Sequence, residues 1–192
     1  MDRDRLTAFT DGVIAVIITI MVLELKAPHG TDLHALLAQW PSFLSYLLSF
    51  VYVGIYWNNH HHFFQLAPEV NGAILWANLH LLFWLSLVPF ATSWVGENGF
   101  ATGPAAAYGA VLLLCAIAFY IMERVIVAAQ GADSPLKQAV GMDLKGKLSP
   151  VLYLSGVVAA FYRPAISYAL YASVALMWLV PDRRVENALT RP

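Results

Sequence analysis

Long apolar blocks alternate along this chain with short clusters of proline, glycine and charge. A helix needs about 20 mostly apolar residues to cross the hydrocarbon core of a bilayer. The clusters cut the sequence into six pieces near that length, at 9–26, 42–64, 72–95, 104–128, 148–163 and 165–181. Pro41, Pro104 and Pro164 fall at first-turn positions, where the missing N–H costs nothing, and Pro28 and Pro181 follow helix ends. The fifth piece is short and shares Arg163-Pro164 with the sixth, so that pair also fits a tight or partly re-entrant hairpin. The prediction is an all-α polytopic membrane protein with six transmembrane helices, a transmembrane domain over 1–182 and a short cytoplasmic tail over 183–192. The longest connection, 129–148, holds Gly131, Ser134-Pro135, Gly141 and Gly146 among its lysines. It has room for a short interfacial helix but not for a soluble domain.

Composition agrees with this pattern. Of 192 residues, 59% are hydrophobic and 12% charged, where soluble domains carry roughly 25% charged residues. The mean hydropathy is +0.63. A net charge of −1 supplies no global field for nucleic acid. Its distribution is more informative: with six spans, Arg3, Arg5, Arg124, Lys137, Lys145, Lys147, Arg183, Arg184 and Arg191 share one side and only Lys26 and Arg163 lie opposite. The positive-inside rule then makes both termini cytoplasmic, and the expected location is the cytoplasmic membrane of a prokaryote. Asp2-Arg3-Asp4-Arg5 leads into the first helix without a small-residue cleavage pattern, so that helix is expected to stay in the mature protein. Cys115 is read as a packing residue, the tryptophans as packing and interfacial anchors, and Gly99-x-x-x-Gly103 as a place for close helix approach in the fourth span.

Candidate chemistry concentrates in the first helix, which carries an acid, Asp11, inside an apolar membrane-length run. An ionisable group at hydrocarbon depth costs about 3 kcal/mol or more. At about 100° per residue, Phe9, Gly12, Val13, Val16, Thr19, Ile20, Leu23 and Ala27 share one face and Asp11 lies well round the helix from Val16. Glu24 sits at the outer end of the same stripe. Two readings fit this face: ordinary helix packing, or the lining of a symmetry axis where rings of aliphatic side chains gate by excluding water. On the second, Asp11 is structural, paired with Arg5, His80 or Asn78; it also suits the positive end of the helix dipole.

Other chemistries have less support. His60-His61-His62, with His80 as a fourth donor, invites a metal reading, but three consecutive histidines cannot converge on one point from a helix. A proton-coupled transporter would use Asp11, Glu24, His80 and Glu123 as a relay, yet no pair of broken helices recurs in matching halves; Pro89 alone interrupts the third span. No enzyme or cofactor motif is present, neither Gly-x-Ser-x-Gly, His-Glu-x-x-His nor Cys-x-x-Cys. The expectation is a protein that is no enzyme and takes no metal or cofactor.

Arg5, Phe9, Thr10 and Asp11 resemble the Arg-x-x-x-Phe-Ser-Asp signature of the transmembrane protein 175 family, the endolysosomal and prokaryotic potassium channels. Tyr56-Trp57-Asn58-Asn59-His60-His61, Asn78-Leu79-His80 and Leu85-Ser86-Leu87-Val88-Pro89-Phe90-Ala91-Thr92 extend the resemblance through the first half of the chain. It implies a homotetramer of six-helix subunits with the pore lined by the first helix, a constriction at Val16, Ile20 and Leu23, and a selectivity-region threonine at Thr19. The implied permeants are potassium and other monovalent cations. Thr10 departs from the motif serine but keeps the hydroxyl, and Val16 stands where bulkier Ile or Leu is usual. Glu24 would draw cations to the mouth, and without Thr-Val-Gly-Tyr-Gly the expected selectivity for potassium is weak. A proton-conducting channel is the alternative.

Overall fold

In a computed structural model the described residues, 2–179 except 68, 133 and 142, contain helices and no strand. Pro181, Arg183, Arg184, Arg191 and the tail 183–192 lie outside them.

Every described helix but one begins where the sequence supplies a cap or a proline. Asp2 accepts from the Asp4 N–H and opens α1, Arg3–Leu23. Asp32 caps the short α2, Leu33–Leu37, and Pro41 lies in the first turn of α3, Trp40–Gln65. Asn71 Oδ1 accepts from Ile74 N at the start of α4, Gly72–Leu85. Pro89 has no N–H to return to Leu85, so the helix is interrupted at 86–87 and restarts as α5, Val88–Glu97. The exception, α6, spans Thr102–Gln130; it follows Ala101 and carries Pro104 as its third residue. Ser134 and Asp143 cap α7, Pro135–Val140, and α8, Leu144–Ala160, and α9 runs Pro164–Leu179.

Against the six expected pieces, the third is divided in two, α7 fills the anticipated place in the 129–148 connection, and α2 is additional. Three stretches are long and apolar enough to cross a membrane: α1, Gly72–Glu97 taken as one, and α6. α8, at 17 residues, is shorter than a perpendicular crossing requires. α3, at 26 residues, is long enough but becomes polar from Trp57 to Gln65. The Gly99-x-x-x-Gly103 reading is corrected: Gly99 lies in the α5–α6 turn with φ +56°, so the two glycines do not share a helix face.

α6 is the hub, packing against α4, α5, α7, α8 and α9, whereas α1 packs on α3, α4 and α5 at the bundle's edge. One core joins Leu6, Ile14, Ile17 and Met21 of α1 to α3, α4 and α6. A second gathers Tyr52, Tyr108, Leu112, Tyr153 and Tyr171. Here two glycines are obligatory: a Cβ on Gly109 would lie 1.9 Å from the Tyr171 hydroxyl, and one on Gly156 would lie 2.3 Å from the same ring.

Candidate functional site

The two sides of α1 differ in cover rather than in polarity. Leu6, Thr10, Ile14, Ile17 and Met21 form a stripe that is buried against the neighbouring helices. Of the face drawn from the sequence, Phe9, Gly12, Val16, Thr19, Ile20, Leu23 and Ala27 are open, with Val16 56%, Ile20 43% and Leu23 74% exposed. Val13 is the exception and packs on the core. Thr19 donates its hydroxyl hydrogen to Ala15 O at 2.9 Å, which leaves the oxygen's remaining acceptor capacity toward the open side.

Behind that face two of the four signature residues, Thr10 and Asp11, are used as fasteners. Thr10 is 0% exposed and its Oγ1 accepts from Asn78 Nδ2 at 2.9 Å. Asn78 Oδ1 in turn bonds His60 Nε2 at 2.9 Å, so one chain of contacts joins α1, α4 and α3. Asp11 accepts from the indole of Trp57 at 2.9 Å. Sequence reasoning missed this partner, although an indole N–H is a donor that must be satisfied inside a membrane. His80 sits elsewhere, with its Nε2 accepting from Trp84 one turn along α4. Arg5 and Phe9 are exposed. The three consecutive histidines diverge: His60 is buried, while His61 is exposed and stacks on Trp57.

At the other end, Glu24 Oε2 accepts from Ser93 Oγ at 3.1 Å, so the carboxylate is tethered to α5. Lys26 pairs with Glu97 just beyond, and that contact holds the lysine's pKa above its ordinary value. Glu24 and Ile20 thereby border a groove of about 470 Å³ with Phe90, Ser93 and Trp94. Among the described residues no group of three or more His, Cys, Asp or Glu is gathered to hold a metal. Of the transporter relay, Asp11 near the middle of α1 and Glu24 just past its C-terminal end are fastened to different helices.

Bilayer-length apolar helices with their polar side chains joined across the bundle define a multi-pass membrane protein. The family described as endosomal/lysosomal potassium channel TMEM175 matches residues 5–89. A potassium channel of a Chryseobacterium strain is 53% identical over 189 residues, covering 98% of both chains. The crystal structure of a lysosomal potassium-selective channel TMEM175 homolog from Chamaesiphon minutus superposes with a TM-score of 0.81 at 28% identity, covering 94% of this chain and 97% of that one. The human endosomal/lysosomal proton channel TMEM175 is 29% identical over 131 residues, which is 62% of this chain and 26% of the human protein. The chain belongs to the TMEM175 family.

Proposed function

We propose that this chain is one subunit of a potassium-permeable, weakly selective cation leak channel in the cytoplasmic membrane of a prokaryote. Four copies of a six-span subunit surround a pore lined by α1, with both termini cytoplasmic. The observation that carries this reading is the uncovered aliphatic face of α1, backed by a stripe already committed to α3, α4 and α5. The bacterial relative of nearly equal length, named a potassium channel, supports the permeant. Arg3, Arg5, Arg124, Lys137, Lys145 and Lys147 lie at or near the end of the bundle where α1 begins, which supports the orientation.

In this mechanism Glu24, one from each subunit, raises the local cation concentration at the mouth while Ser93 limits its swing. Cations then pass hydroxyl oxygens at Thr19 and aliphatic rings at Leu23, Ile20 and Val16. Such rings select by the cost of dehydration and wetting, which discriminates weakly between potassium and sodium. In single-channel recordings from reconstituted protein, Ile20→Asn and Leu23→Asn should raise conductance by keeping the constriction wet. Unchanged currents in both variants would overturn the assignment.

Proton conduction is the second reading, favoured by the name of the human relative. A pH-sensitive dye inside potassium-loaded vesicles separates the two. Acidification that requires valinomycin, which carries the compensating potassium out, and no protonophore supports proton conduction; acidification that requires a protonophore and no valinomycin supports the potassium leak channel.

A further inference from the structure

A second site lies away from α1. Where α3, α6, α8 and α9 meet, toward the end at which α3 and α6 finish, a crevice of about 50 Å³ opens between the helices. One buried water takes about 10–15 Å³ on this measure, so the crevice holds roughly three to five water-sized groups. Glu123 of α6 lines it and is 8% exposed. Among the described residues the ion pairs are Arg3–Asp4 and Lys26–Glu97, and no hydrogen bond reaches the Glu123 carboxylate. Ser167 Oγ and Tyr168 Oη are the fully buried side-chain polar atoms without a partner among the described residues, so the Glu123 carboxylate keeps accessible surface at the crevice it lines and is open to a ligand there.

The surrounding groups point to the chemistry of that ligand. Tyr56, on the facing wall, is buried, and its hydroxyl can accept as well as donate. Asn59 donates its amide N–H to Ile55 O at 2.9 Å, which leaves its oxygen as an acceptor on the same wall. Asp143 also borders the crevice but is occupied as the cap of α8, accepting from Gly146 N. The rim is aromatic, and its rings already attract cations. The Arg124 guanidinium stands 6.0 Å from the Tyr120 ring centre and the Lys145 ammonium 5.8 Å from that of Trp178. Neither cation forms an ion pair with Glu123.

We propose that this crevice binds the primary ammonium group of an alkylamine, with Glu123 as counter-ion, Tyr56 and Asn59 as further acceptors, and Tyr120 and Trp178 flanking the alkyl stem. A primary ammonium presents three N–H donors to these three acceptors. A quaternary ammonium presents none and fits less well. The group can come from a soluble amine or from an ethanolamine lipid headgroup.

The test is calorimetric titration of the purified full-length protein in a neutral detergent with n-butylammonium chloride, beside tetramethylammonium chloride. The expected result is saturable butylammonium binding, weaker for tetramethylammonium, at least tenfold weaker in Glu123→Gln and abolished in Ala116→Phe, which fills the crevice. Tyr56→Phe should weaken binding several-fold and keeps the site testable if Glu123→Gln fails to fold. Native mass spectrometry from mixed ethanolamine and choline lipids distinguishes the source: retention of ethanolamine lipid that Glu123→Gln abolishes identifies a headgroup, and butylammonium binding without such retention identifies a soluble amine. No saturable binding of either probe, or binding indifferent to Glu123→Gln and Ala116→Phe, overturns the proposal.

Discussion

Thr10→Val isolates the fastening of α1 from its packing. Valine matches threonine in shape, so no cavity forms at this fully buried position. What is lost is the acceptor for Asn78 Nδ2, which now sits 2.9 Å from Thr10 Oγ1. An orphaned buried donor costs about 1–3 kcal/mol, while interhelical hydrogen bonds in membranes average about 0.6 and reach about 1.7 kcal/mol. Asn78 is 1% exposed, and its other polar atom is already engaged by His60, so it has little freedom to find a new acceptor. The expected loss is therefore near the upper membrane value, about 1.5 kcal/mol, or roughly a tenfold shift in the folding equilibrium. Thr10→Ser keeps the hydroxyl and removes one methyl, for which a buried-methylene deletion suggests below about 1 kcal/mol. Reversible unfolding in mixed micelles, read by tryptophan fluorescence, measures both. The reasoning fails if Thr10→Val is as stable as the parent, or if Thr10→Ser is the more damaging of the two.

Three further outcomes are expected. Gly109→Ala should destabilise by about 1–3 kcal/mol through overpacking against Tyr171, and Tyr171→Phe, which removes the hydroxyl that the new Cβ meets, should restore part of that loss in the same unfolding assay. Trp57→Phe should cost about 0.6–1.7 kcal/mol by removing the interhelical donor, with Asp11→Asn milder because an amide oxygen still accepts. Glu97 raises the Lys26 pKa, so the pair's contribution is present below the lysine's ordinary value and is lost as pH rises through the folded value. Thermal melts should therefore show a small decline above pH 10.5 that Glu97→Gln abolishes.

The elements that sequence displayed well were those whose signal is local. Prolines at 41, 89 and 164 mark helix starts because they act within one turn, whereas the Asp2 cap, which begins α1 at Arg3, is missed by a reading that places the first span from residue 9. Periodicity separated the buried stripe of α1 from its open face, because a straight helix keeps its angles over 21 residues. Val13 was misassigned at the border, where about 20° decides which neighbour it meets. The partners of the polar groups were less visible. His80 and Asn78 lie two residues apart on α4 and so face different directions, and only Asn78 meets Thr10. The bond between Asp11 and Trp57 joins residues on different helices, and its register depends on how α1 and α3 cross, which no single-helix wheel contains.

That dependence explains why a helix with so much aliphatic surface carries a polar signature. In lipid, tails are as apolar as the side chains, so burying Ile14, Ile17 and Met21 is scarcely better than burying Val16, Ile20 and Leu23. Aliphatic packing alone would leave the rotation of α1 weakly specified. Directional contacts break the tie at two levels: Thr10 and Asp11 are bonded to α4 and α3, and Glu24 is bonded to α5. Thirteen or fourteen residues separate those levels, about 20 Å along the axis, so the helix is held against both rotation and tilt. In the proposed channel Thr10 and Asp11 therefore help determine which aliphatic residues meet the ions without meeting any themselves, whereas Glu24 both fixes the helix and faces the mouth. Removing one level should loosen the helix and removing both should free it, so conductance of Thr10→Val and Trp57→Phe combined with Ser93→Ala should depart from the parent by more than the effect of that pair and the effect of Ser93→Ala added together. Additive behaviour in single-channel recordings would mean that packing, rather than the signature, sets the rotation of α1.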